Sequence, residues 1–192
     1  MLKTMAAVLV SALLTACVIS IEPTVPPSES VFEPRLLGTW VEAGEKDTAV
    51  VTRDGEGGYL IDYTDQDGTG RFTGWVGRLG DHLLLEVRPV LAETGASDAY
   101  EALLLPGHLL FVVTLADPEM HLAPLDIDAV REALSRDELR TPHLSYSENS
   151  VEGREQVVLT GTSAELRTWL RQVLDHPDVL GETGIWRRVA PE

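Results

Sequence analysis

The chain has 192 residues, with 15 basic and 31 acidic side chains and a formal net charge of −16. That balance excludes the basic footprint of a nucleic-acid-binding surface and opposes attraction to anionic head groups or acidic substrates. With 44% hydrophobic residues the chain can bury a proper core, and its length suits one folded domain.

Residues 1–16 have the three parts of an export signal: Lys3 as the positive start, an apolar run from Met5 to Leu14, and the small residues Thr15 and Ala16. A run of about ten residues is half of the roughly 20 that a helix needs to cross a bilayer. Cys17, the only cysteine, follows at once and has no partner for an internal disulfide. Leu14-Thr15-Ala16-Cys17 resembles the lipobox of bacterial lipoproteins. The resemblance implies cleavage before Cys17, a diacylglycerol thioether on its sulfur and a fatty acyl group such as palmitate on its amine. The alternative is an ordinary signal peptide whose cleavage site contains a cysteine. Val18 stands where an aspartate would retain a lipoprotein at the inner membrane, so the expected location is the cell envelope, at the outer membrane if the cell has two. Residues 1–16 contain Lys3 and no acidic residue, so the mature chain keeps 14 basic and 31 acidic side chains, a net −17.

Residues 18–34, VISIEPTVPPSESVFEP, hold four prolines and no sustained period of two or 3.6. With the anchored Cys17 they read as a flexible tether over 17–34, able to reach about 50 Å if extended. The folded domain is then 35–192.

From Arg35 onward, short apolar or alternating runs are separated by glycine-rich and aspartate-rich turns. The pattern predicts strands at Leu36–Ala43, Thr48–Arg53, Gly58–Thr64, Gly70–Leu79, His82–Arg88, Gly107–Leu115 and Met120–Leu125. Hairpin turns are expected at Asp65–Gly68 and Leu79–Asp81. In Gly107–Leu115, Leu109, Phe111 and Val113 face one side while Leu110 and Val112 face the other, so this strand needs cover on both faces. Asp126 is placed to cap a helix over Ile127–Arg136, and Thr162 with Glu165 forms a capping-box pattern ahead of Ala164–His176. On that second helix Leu166, Trp169, Leu170, Val173 and Leu174 form one apolar stripe. Strands at His143–Glu148 and Arg154–Gly161 lie between the helices, and Ile185–Val189 is the last. The expected fold is mainly β (α+β): an antiparallel meander forming a barrel or strongly curved sheet, with two helices packed outside.

Gly38-Thr39-Trp40 on the first strand of the domain resembles the Gly-x-Trp signature of lipocalins. The resemblance implies that Trp40 closes the base of a barrel and that an arginine of the last strand lies across its ring; Arg187 and Arg188 are the candidates. The stretch from Leu37 to Arg188 is also similar to a group of uncharacterised bacterial lipoproteins. The shared features are Leu36–Trp40, the Tyr63–Gly68 hairpin, Leu79-Gly80, Leu122–Asp126 and Val158–Leu166. This second resemblance implies location and fold and carries no activity.

Catalysis has no anchor in the sequence. The histidines at 82, 108, 121, 143 and 176 lack metal-ligand spacing, no nucleophile elbow is present, and Cys17 would be consumed by lipid. Asp62, Asp65 and Asp67 do not fit a calcium loop, which needs glycine and glutamate at fixed later positions. The expectation is a protein without enzymatic activity, metal or cofactor. Two readings remain. In one, the barrel binds a small apolar ligand, lined by Tyr59, Ile61, Tyr63, Phe72 and Trp75. In the other, an envelope interaction or assembly module presents a sheet edge or helix face to another protein.

Overall fold

The computed structural model describes residues 17–55, 57–90, 107–136, 139–148 and 154–190. Among them the strands in chain order are β1 (Cys17–Ser20), β2 (Gly38–Glu42), β3 (Thr48–Arg53), β4 (Tyr59–Thr64), β5 (Thr69–Leu79) and β6 (His82–Pro89). They continue with β7 (His108–Ala116), β8 (Glu119–Pro124), β9 (His143–Glu148), β10 (Arg154–Leu159) and β11 (Gly184–Arg188). The helices are α1 (Ile127–Ser135) and α2 (Ser163–Val173).

Strands β2 to β8 pair antiparallel, each with the next, and β11 pairs antiparallel with both β8 and β2. The meander therefore closes into an eight-stranded, lipocalin-like barrel. Closure removes the unpaired edges that an open sheet would expose. Beyond the barrel the sheet branches at β7. One edge of that strand carries β8 along Phe111–Ala116 and β1 at His108 and Leu109. Strand β1 runs parallel to β10, which pairs antiparallel with β9.

Side-chain alternation divides the apolar residues into two cores. Inside the barrel are Trp40, Val51, Tyr59, Ile61, Val76, Leu83, Leu85, Val87, Val113, Met120 and Trp186. The outward residues of β5, β6 and β7, among them Leu79, Leu84 and Leu110, form a second core with Val130 of α1 and Leu166, Leu170 and Val173 of α2. Each such side chain, fully buried, contributes about 1.5–3 kcal/mol. Strand β7 serves both cores as its pattern required: Leu109, Phe111 and Val113 point inward, Leu110 and Val112 outward. Both helices start at the expected caps. Asp126 accepts from the Ala129 N–H at 2.8 Å, and Thr162 and Glu165 form a reciprocal capping box.

The first strand of the domain is shorter than expected, because Pro34–Leu36 is a 3-10 turn and extended pairing begins at Gly38. The larger correction concerns residues 18–34, which are no free tether. They supply β1, bury Val18, Thr24 and Val25, and run across the outside of β6 and β5 to the barrel base. The Val31 N–H donates to the Val76 carbonyl at 2.7 Å, and the Phe32 ring stacks on Tyr59 with centroids 5.5 Å apart. Proline and the lack of periodicity exclude a helix or a long strand here. They do not prevent isolated apolar side chains from docking one at a time.

Candidate functional site

The base of the barrel carries the built constellation. Trp40 is 1% exposed, and its indole Nε1 donates to the Leu36 carbonyl at 2.8 Å. The Arg188 guanidinium lies over the Trp40 ring, 4.3 Å from its centroid, and donates from Nη1 to the Leu37 carbonyl and from Nη2 to the Arg35 carbonyl. Gly38 makes the approach feasible. Its φ is +130°, a region that favours glycine, and a Cβ there would stand 2.7 Å from Arg188 Nη1. Of the two candidate arginines, Arg188 spans the ring, whereas Arg187 points outward and pairs with Glu119 at 3.1 Å.

The other end is the mouth. It is framed by the β2–β3 and β4–β5 turns and by the exit from β8 toward α1. Tyr63, Phe72, Leu109, Phe111 and Leu122 are inward-facing and only half-buried there, above the buried Ile61, Val87 and Trp186. Tyr63 meets Trp186 with ring centroids 6.3 Å apart, and its hydroxyl donates to Asp47 Oδ2 at 2.5 Å. Burial, reinforced by that hydrogen bond to a carboxylate, pushes the Tyr63 phenol well above its ordinary range. Glu42 stands at the same rim. Burial and then the neighbouring Asp47, Glu45 and Glu182 push its carboxyl above the usual range. The mouth therefore combines aromatic walls with a rim that already resists more negative charge.

The expected lining residues separate into three places. Tyr63 and Phe72 are at the mouth, with Ile61 buried among the interior side chains. Tyr59 is fully buried at the base, where its hydroxyl accepts from the Glu33 N–H at 2.6 Å. Trp75 is on the opposite face of β5, packed against the outer core under Arg88, whose guanidinium lies 5.7 Å from the ring centroid. The alternation of β5 decides this, since Phe72, Gly74 and Val76 point inward and the odd residues point out. Leu109, Phe111 and Leu122 complete the mouth. The two-faced pattern of β7 had already set Leu109 and Phe111 on one side.

A buried polar cluster lies outside the barrel. Glu86 on β6 is 0% exposed; its Oε2 accepts from the N–H and hydroxyl of Thr24 and from the Val25 N–H, the last at 3.1 Å. Its Oε1 lies 2.8 Å from Nδ1 of the buried His108 on β7, at an angle that completes no hydrogen bond. A histidine and a carboxylate from separate strands thus meet, but Thr24 and Val25 roof them. His121 is 3.3 Å from Glu119 on its own strand, and His143 Nδ1 is 2.9 Å from the Thr141 carbonyl. No group of three His, Cys, Asp or Glu side chains among the described residues is arranged to hold a metal. Asp65 closes its turn by accepting from the N–H groups of Asp67 and Gly68, and Asp62 pairs with Arg71 at 2.6 Å.

A cleft of about 420 Å³ opens outside the barrel between α2 and residues 140–142, with Arg140, Glu165 and Gln172 among its walls. Its walls are mixed, with Pro142, Ala164 and Trp169 beside the polar groups, and it is separate from the mouth. Cys17 is the first residue of β1, in register with Gln156 of β10. No helix among the described residues is long and apolar enough to cross a membrane. No family model, curated protein or solved structure matches the chain.

Proposed function

We propose that this is a lipid-anchored protein of the bacterial envelope, of the uncharacterised lipoprotein group it resembles, whose barrel binds a small, predominantly apolar ligand at its mouth. The observation that carries the ligand reading is the contrast inside the barrel. Tyr63, Phe72, Leu109, Phe111 and Leu122 stay half-buried at one end, while the base is sealed by Leu36, Trp40 and Arg188. Small barrels fill their interiors with side chains unless they hold a ligand, and incompletely covered aromatics facing inward are the surface such a ligand would cover. Glu42 and Asp47 at the rim favour an uncharged or cationic head over a carboxylate. The role is binding, not catalysis, because the His108–Glu86 pair is roofed and holds the N-terminal segment in place.

Anchoring rests on the Leu14–Cys17 lipobox, with the outer membrane favoured by Val18. Native mass spectrometry with lipid extraction, on protein purified from its own membrane, tests both parts. The expected result is a co-purifying small apolar molecule and two or more acyl chains on the N-terminal cysteine peptide. Protein that emerges empty and takes up no neutral apolar probe sinks the ligand reading. A Cys17→Ser variant that still sediments with membranes sinks the anchor.

The interaction-module reading has its own supporting observation. Strand β9 pairs only with β10 among the described strands and presents Leu144, 63% exposed, at an open edge. A stable protein complex from the same purification, abolished by Leu144→Lys, would favour it.

A further inference from the structure

One carboxylate breaks the apolar pattern at the barrel mouth. Glu42 ends β2 in register with Trp186 of β11, and opposite residues of an antiparallel pair share a face, so its side chain turns inward beside the indole. Among the described residues no other charged side chain takes an inward strand position at this end. Glu42 is half-buried, and no described residue gives its carboxylate a hydrogen bond or an ion pair. Gly184 makes room for it: a Cβ there would stand 2.9 Å from Glu42 Oε1 and 3.2 Å from Trp186 Nε1. Trp186 is only 7% exposed, and its Nε1–H likewise donates to no described residue. The Tyr63 and Trp186 rings meet at 58°, and Asp47, which accepts from the Tyr63 hydroxyl, adds a second carboxylate.

We propose that the mouth ligand is an apolar molecule with a cationic amine head, whose nitrogen pairs with Glu42 against the Tyr63 and Trp186 rings. This rests on the ligand reading of the mouth and narrows it to one charge class. A carboxylate drawn partly out of water costs free energy unless a cation or hydrogen-bond donors offset the loss. The described residues supply neither to Glu42, and an ammonium group supplies both. The faces of aromatic rings attract such a group within about 6 Å of their centroids. The Trp186 N–H is then left for a neutral acceptor, such as a hydroxyl or ether oxygen, on the same head. An anionic head would instead meet Glu42 and Asp47, with Glu45 and Glu182 beside them. At the base Arg188 sets the opposite sign, so the amine is directed to the mouth and the apolar tail inward. The net charge of −16 raises the local concentration of cations in the same sense.

Three eight-carbon probes that differ in the head test the assignment: octylamine, 1-octanol and octanoate. Each is titrated at pH 7 into full-length protein in phosphatidylcholine nanodiscs and followed by tryptophan fluorescence, with empty discs subtracted. Octylamine, charged at that pH, should bind at least tenfold more tightly than octanol, and octanoate more weakly than either. Glu42→Gln keeps the size of the side chain and removes its charge, and it should cut the amine-to-alcohol preference to below threefold. Asp117→Asn, in the exposed β7–β8 turn at the base, lowers the overall charge by the same unit and should leave the preference at tenfold. No uptake of any probe overturns the assignment together with the ligand reading. Octanol bound as tightly as octylamine, or octanoate preferred, overturns the amine head and leaves an apolar ligand in place. A tenfold preference that survives Glu42→Gln, or one lost equally in Asp117→Asn, overturns Glu42 as the counter-ion.

Discussion

Gly38→Ala is the sharpest probe of how the barrel base is held, because a single methyl acts in two separable ways. At φ +130° an alanine pays backbone strain of about 1–3 kcal/mol. Its Cβ would also overlap Arg188 Nη1, forcing the guanidinium off the Leu37 and Arg35 carbonyls and off the Trp40 ring. Hydrogen bonds from a charged donor contribute about 1.5–3 kcal/mol each when buried, and the cation–π contact about 0.5–2 kcal/mol. The Arg188 side chain is 26% exposed, so water replaces part of this and about 2–3 kcal/mol is the reasonable total. Gly38→Ala should therefore destabilise by about 3–5 kcal/mol and Arg188→Ala by about 2–3 kcal/mol. In the double variant the clash has no target, and only the backbone strain adds to the arginine loss. Urea unfolding followed by tryptophan fluorescence and near-UV circular dichroism should give a coupling of about 2 kcal/mol. Additivity within about 0.5 kcal/mol, the behaviour of independent sites, would refute the idea that Gly38 is there to admit Arg188.

Glu42→Gln should raise stability at neutral pH. The native carboxyl holds its proton above the unfolded value of 4.5, so its stabilising contribution is complete below that pH and is lost as pH rises through the native value. Thermal melts of variant and wild type should converge toward pH 4, and a gap that widens on acidification would contradict the burial argument. Leu170→Ala, at a fully buried position of the outer core, should cost about 2–5 kcal/mol in denaturant unfolding. A loss below 1 kcal/mol would mean that α2 is not packed as described. Trp75→Phe should leave uptake of a neutral apolar fluorophore unchanged, whereas Phe111→Asp should weaken it at least tenfold. Equal effects of the two would place the ligand somewhere other than the mouth.

The barrel was legible because its strands alternate without interruption. Tyr59, Ile61 and Tyr63 mark one face of β4, and the turns at Asp65–Gly68 and Gly80–Asp81 leave little room for any pairing but adjacent hairpins. Closure was harder to read, since the β11–β2 contact joins residues about 150 apart in the chain. The only local hints were a glycine two residues before a tryptophan and arginines near the end. Strand β5 shows the limit of residue type as a guide. Phe72 and Trp75 are both aromatic and three apart, and an odd separation on a strand sends them to opposite faces. Grouping them as one lining set followed chemistry where the period of two should have ruled.

The N-terminal segment misleads for a different reason. Composition identifies a chain that cannot form a long periodic element, and residues 18–34 form none beyond the last three residues of β1 and single 3-10 turns. What holds them is complementarity supplied from elsewhere. Glu86 reads as a charged residue on a strand face until its outward position finds Thr24 and Val25 above it, and Gly77 reads as a gap in an apolar pattern until Val25 fills it. A missing side chain leaves no signature of what occupies its space. A buried carboxylate does leave one: Glu86 lies between Leu84 and Arg88 on the outward face of a strand whose outward neighbours on β5 and β7 are largely apolar. A charge set among such residues needs donors, and here the nearest chain able to cover it was the one that composition read as solvent-exposed.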